Sequence, residues 1–253
     1  MTDLSPTRGG APLARMVFAQ ASMEARLMAR NGEQLLLAVV IPVIVLVGAV
    51  QGAARIHLSL SHRAVDVFTP GVLALAVMST AFTSLAIATG FERRYGVIKW
   101  LGSSPLPRFG LLLGKVLALL LIEVAQIAVV AGVGLALGWR PEPGLLAAAV
   151  TVVLGTAAFA SLGLFVAGVL RAEATLAAAN LVYLLLMAGG GVVLPTSAYG
   201  GFEHVARLLP SGALGDALRA AFLDRAFDPM SLIVLAVWAL VGTLLTVRTF
   251  KWE

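Results

Sequence analysis

Cysteine is absent from this 253-residue sequence, and only 12% of the residues are charged, against roughly 25% in ordinary soluble domains. The missing thiols exclude a disulfide-stapled secreted module and a zinc-thiolate centre. The apolar content excludes disorder, and the scarcity of charge excludes a soluble fold of this size, whose surface needs many more charges. What is abundant is apolar side chain, 60% of the chain, with a mean hydropathy of +0.97.

The few charges are unevenly spread. Between Glu33 and Arg55 lie 21 uncharged residues, between Asp66 and Glu92 lie 25, and Lys115 to Arg140 encloses 24 broken only by Glu123. Glu142 to Arg171 encloses 28, Glu173 to Glu203 encloses 29, and Asp228 to Arg248 encloses 19. A helix needs about 20 apolar residues to cross a bilayer. The gaps therefore predict an all-α polytopic membrane protein with six transmembrane helices, at 34–54, 69–90, 111–137, 145–170, 174–194 and 230–247, in a single transmembrane domain over 1–253. An eight-stranded barrel would show short alternating segments instead. Ahead of the first span, residues 12–30 read as an amphipathic helix. Leu13, Met16, Val17, Gln20, Met23 and Leu27 fall on one side, and Arg15, Arg26 and Arg30 on another. Such a helix suits the membrane interface, its arginines toward lipid phosphates, and a loosely ordered basic leader is the alternative. No cleavable leader is expected, since the first long apolar stretch begins near Gln34.

With the N-terminus inside, the cytoplasmic segments hold twelve Lys and Arg and the opposite segments hold six. Both termini are thus expected in the cytoplasm. The net charge of +5 then reflects topology and calls for no nucleic acid. Trp100, Trp139, Trp252, Tyr95 and Tyr199 are expected at the headgroup level. The short links Gly138 to Gly144 and Arg171 to Ala174 make spans three to five antiparallel neighbours.

The connection 91–109 carries most of the remaining information. Val97, Ile98, Trp100 and Leu101 suggest a short amphipathic helix ended by Gly102 and a Ser-Ser-Pro-Leu-Pro turn. Such a helix, held between two spans, could pass on movement from a soluble partner; a basic loop that merely satisfies topology explains it equally. Glu92 and Arg93, Gly96, Pro105, Leu106, Arg108, Gly114 and Lys115 follow one another here in a recurring order, and Leu208 to Phe222 contains Leu-Pro followed by Asp-Ala-Leu-Arg. In both runs and in its topology the chain resembles the bacterial type 2 ATP-binding-cassette (ABC) exporter permeases, the daunorubicin-resistance-type drug efflux group. Tyr95 and Trp100 depart from the commoner pattern.

The resemblance implies a cytoplasmic coupling helix in 91–109 that, with the N-terminal helix, meets a separate ABC ATPase subunit. Glu92, Arg93 and Arg108 would be contact or positioning residues, Gly96 and Pro105 would shape the turn, and Gly114 and Lys115 would open span three. It further implies a second permease subunit, identical or related, and re-entrant helices within 195–228, a reading that the glycine run Gly189 to Gly191 favours over a plain extracytoplasmic loop. ATP and Mg would belong to the partner ATPase, with no cofactor in this chain, which is expected not to be an enzyme. The expected location is the bacterial cell membrane, in contact with its lipids. The expected cargo is a drug-like compound or lipid moved outward, a cell-surface polysaccharide fitting less well. A non-transporting scaffold or assembly factor is the rival reading, and an ion-coupled transporter would need more intramembrane charge.

Gly110 to Val116 resembles a phosphate-binding loop only superficially, being one residue short and lacking the hydroxyl residue. Gly110, Gly114, Gly134 and Gly138 read instead as small-residue packing faces. Glu123, with Gln126 three residues on, lies well inside span three, and Asn180 lies in mid-span five. Glu123, Gln126 and Asn180 form the candidate substrate pathway. The competing reading is hydrogen bonding between helices. His57, His62 and His204 read as solvated loop residues, and no metal site is expected.

Overall fold

The computed structural model describes residues 11–30, 32–55, 62–97, 106–142 and 144–250. Among them helix is the only extended regular structure, as expected where lipid offers backbone groups no water. The elements are α1 (Leu13–Arg30), α2 (Gly32–Arg55), α3 (Ala64–Met78), a widened π segment (Ser79–Ser84) leading into α4 (Leu85–Arg94), α5 (Arg108–Ala136), α6 (Leu145–Val169) and α7 (Ala172–Gly189). A 3-10 segment (Thr196–Phe202), α8 (Glu203–Leu208), α9 (Pro210–Leu223) and α10 (Pro229–Thr249) complete the order. Six segments are long and apolar enough to cross a membrane: α2, α3 with α4, α5, α6, α7 and α10.

The span count matches the expectation, while several helix ends differ from the expected limits, two of them by five residues. The second span starts at Ala64 rather than 69, and α7 stops at Gly189 rather than 194. A gap between charges measures the distance to the next charge, not the place where a helix ends. At Gly189 to Gly191 the flexible backbone ends α7 long before Glu203. Ile98, Trp100, Leu101 and Pro105, which carry most of the expected coupling helix, lie outside the described residues, as do His57 and Trp252.

The segment α3 is the axis of the bundle. Every residue from Val65 to Met78 is buried, because α2, α5, α6 and α9 all pack around it. Apart from Asp66 and Thr69 its side chains are apolar on all sides, the pattern of a helix enclosed by others. Phe82 extends this core, its ring meeting Phe159 of α6 edge-on at 6.4 Å. Close approach depends on small residues: a Cβ at Gly163 would strike the Phe82 carbonyl at 2.9 Å, and one at Gly155 would meet Leu214 of α9. The expected antiparallel neighbours α5, α6 and α7 do touch, although α6 packs far more extensively along α10.

Contacts sort the polar groups to the two ends. At one end Asp66 receives both the guanidinium of Arg63 and the backbone N–H of Arg140. There the backbone of Glu142 and Gly144 pairs with the carbonyls of Phe222 and Ala221. Trp139, expected at the headgroup level, packs inside the protein. It is buried with its ring against Phe222 at 5.3 Å, because the turn after α5 folds inward onto α9. Gly138 is likewise no packing face; it takes a left-handed φ of 90° in that turn.

Candidate functional site

At the opposite end α4 finishes in three consecutive charges, Glu92, Arg93 and Arg94. Successive residues on a helix project about 100° apart. The three side chains therefore reach three directions. Glu92 pairs with Lys115 of α5 at 2.7 Å. Arg93 donates to the carbonyls of Gly168 and Leu170, which are the unpaired groups at the end of α6. Arg94 pairs with Glu173 in the first turn of α7. The chain then turns through Gly96, whose φ of 72° is a left-handed cap. Tyr95, 70% exposed, stacks on Phe91.

Lys115 is the centre of the arrangement, and only 6% of it is exposed. Besides Glu92, its ammonium binds Glu24 of α1 at 2.8 Å, and Glu24 also accepts from Gln20 at 2.8 Å. A buried ammonium needs such partners, because desolvation costs several kcal/mol per ion. Helix α1 runs beside α5 in the same direction: Val17 sits by Gly110, Gln20 and Ala21 by Gly114, and Glu24 by Lys115. A Cβ at Gly114 would lie 2.7 Å from the Gln20 side chain, so the glycine admits α1. The docked stripe of α1 is Val17, Gln20, Ala21 and Glu24. Leu13, Met23 and Leu27, expected on that stripe, are exposed.

Thus the structure brings together Glu92, Arg93, Gly96, Gly114 and Lys115 of the expected coupling group. Arg108 opens α5, with its side chain outside the described residues, as is Pro105. Sequence reasoning missed Glu24 and Arg94. Glu24 carried a signal, a Gln and a Glu four apart on an otherwise apolar helix face. Gly110 to Val116 lies within helical backbone, with its Lys paired to carboxylates.

The second expected group divides. Glu123 is 1% exposed, and its Oε2 accepts from Thr156 Oγ1 of α6 at 2.6 Å. Gln126 is also buried. Its Oε1 accepts from Thr80 Oγ1 in the π segment at 2.6 Å, and its Nε2 donates to the Ala38 carbonyl of α2 at 2.9 Å. Both side chains thus hold neighbouring helices within one subunit. Asn180 does not join them; it is exposed on α7.

A third cluster lies at the far end. Arg219 of α9, 6% exposed, donates to the carbonyls of Val67, Gly191, Val192 and Val193 and to Asp216 Oδ1. These bonds occupy its five N–H donors. Asp216 in turn accepts from the backbone and hydroxyl of Thr196. Burial pulls the Arg219 guanidinium below its ordinary pKa, opposed by the Asp216 carboxylate. A Cβ at Gly71 would lie 2.5–2.8 Å from Arg219 and from two of those carbonyls, so that glycine leaves room for the clamp. The Asp-Ala-Leu-Arg run seen in the sequence thereby gains a structural role.

A family model described as ABC-2 family transporter protein matches residues 35–248. Among curated proteins none matches the chain.

Proposed function

Since the chain belongs to the ABC-2 family of transporter proteins, and is thus a membrane component of an ABC transporter, we propose that it is the permease of an ATP-driven exporter of hydrophobic or amphiphilic compounds. The ATPase would be a separate subunit that holds the ATP and Mg, and it would engage residues 91–109 on the cytoplasmic side. The observation that carries this reading is the end of α4, where three adjacent charges connect the loop to α5, α6 and α7, and through Lys115 to α1. A displacement of the loop reaches four helices through ionic and hydrogen-bonded contacts, not through a flexible tether.

Both termini would lie in the cytoplasm of a bacterial cell, as the excess of Lys and Arg on that side supports. A second permease subunit would complete the pathway. Support comes from Asn180, exposed mid-helix on α7, since an amide facing hydrocarbon is costly and is relieved by another protein surface or water. Within α7 to α10, the buried α9 would be the re-entrant element. The apolar, sparsely charged spans suit a drug-like or lipid cargo better than a sugar polymer.

The test is reconstitution in vesicles with the ATPase that co-purifies with the tagged chain. ATP-dependent accumulation of an amphiphilic dye on the far side is expected. Absence of any associated ATPase would favour the scaffold reading instead.

A further inference from the structure

Beyond the docked stripe, α1 leaves an open groove against α5. Its α1 wall combines Phe18 with small residues, among them Ala25 and Ala29, and its α5 wall includes Leu117 and Leu121. The volume is about 580 Å³ and the lining is almost wholly apolar, within the range of lipid- and ligand-sized pockets. At its edge stands Arg26, exposed and without a carboxylate partner among the described residues. Glu24, the nearest acid in sequence, is turned to the other side and held by Lys115. Leu120 and Val124 form part of this groove and also of a second apolar groove, about 410 Å³, between α5, α6 and α9. The apolar surface therefore continues along α5 past the end of the first groove.

We propose that the groove between α1 and α5 seats one anionic phospholipid, its acyl chain against Leu117 and Leu121 and its phosphate on Arg26. Charge complementarity selects this occupant. Guanidinium binds phosphate through two parallel hydrogen bonds, and Arg15 and Arg30 recur on the same side of α1, adding attraction to an anionic surface. A zwitterionic lipid offers the same tail, but its ammonium opposes that cluster. The seat is independent of transport, so its failure would leave the permease reading standing.

The test uses the full chain in nanodiscs with two probes, phosphatidylglycerol and phosphatidylcholine, each carrying a diazirine on the acyl chain. Peptides covering 21–29 and 117–124 should be labelled about fivefold more by the glycerol probe, the preference one surface arginine gives. Arg26→Gln should remove the preference and Arg26→Lys should keep it. Ala25→Trp should fill the groove and abolish labelling of both peptides while labelling of α10 is unchanged. Equal labelling by both probes in the unaltered chain overturns the proposal, as does a preference that survives Arg26→Gln. No labelling in the groove overturns it too, since another occupant, such as the chain's own residues, would then fill it.

Discussion

Gln126 donates a hydrogen bond to the carbonyl of Ala38 at 2.9 Å. In a regular helix that carbonyl would accept from the residue four positions on, which is Pro42 and has no N–H. The proline frees an acceptor at the buried Ala38 of an apolar span, and a side chain from α5 supplies the missing donor, as lipid-embedded backbone requires. Gln126→Leu should therefore lower thermal stability in detergent, by about 1–3 kcal/mol for an acceptor left unpaired. Adding Pro42→Ala should recover most of the loss, because Ala supplies the N–H itself. If Pro42→Ala stabilises the unaltered chain and the Gln126→Leu chain equally, the link between the two residues is wrong.

Lys115 balances two carboxylates in a nearly water-free setting. Lys115→Met should cost about 3–5 kcal/mol, because it strands buried charge. Combining it with Glu24→Gln and Glu92→Gln should be far milder than Lys115→Met alone. Chemical denaturation monitored by tryptophan fluorescence measures both, and an undiminished loss in the triple variant would contradict the balance.

Arg93 points inward to the last carbonyls of α6. Its expected part is transmission, not ATPase contact. Arg93→Gln should leave co-purification of the ATPase intact while ATP-driven transport falls at least tenfold. Arg108→Glu, at the start of α5, should weaken co-purification itself. If Arg93→Gln releases the ATPase instead, Arg93 belongs to the docking surface.

Glu123 is enclosed within the subunit and bonded to Thr156, so Glu123→Gln, which keeps the acceptor for that hydroxyl, should change efflux of cationic and neutral compounds to the same small extent. A selective loss for cations would return Glu123 to the substrate pathway.

Arg219→Lys retains at most three of the five hydrogen bonds, and Arg219→Met none. Stability to denaturation should fall for Lys and further for Met, by about 3 kcal/mol or more for Met, which leaves Asp216 without its cation. Similar losses for Lys and Met would mean that packing, not the donors, matters there.

The spans were legible because charge is expensive in hydrocarbon, so the sequence itself marks where it is excluded. Glu92, Arg93 and Lys115 could be found together, since they are near in sequence and on facing helices. Glu24 left only the weak trace of a Gln four residues before it, because an amphipathic wheel assigns acids to the wet side and tertiary pairing with Lys115 explains one on the buried side. The Gln126 and Pro42 relationship joins helices 84 positions apart, read from their numbers, and no local pattern announces it. Arg219 looked like part of a motif, but its partners are backbone carbonyls, which carry no side-chain signature.

The end of α4 also limits how the gene for this chain can change in length. Inserting or deleting one residue in α4 just before Glu92 would rotate Glu92, Arg93 and Arg94 by about 100° and point each at the wrong neighbour. Homologous chains should accordingly share an invariant count of residues from the last turn of α4 to the glycine.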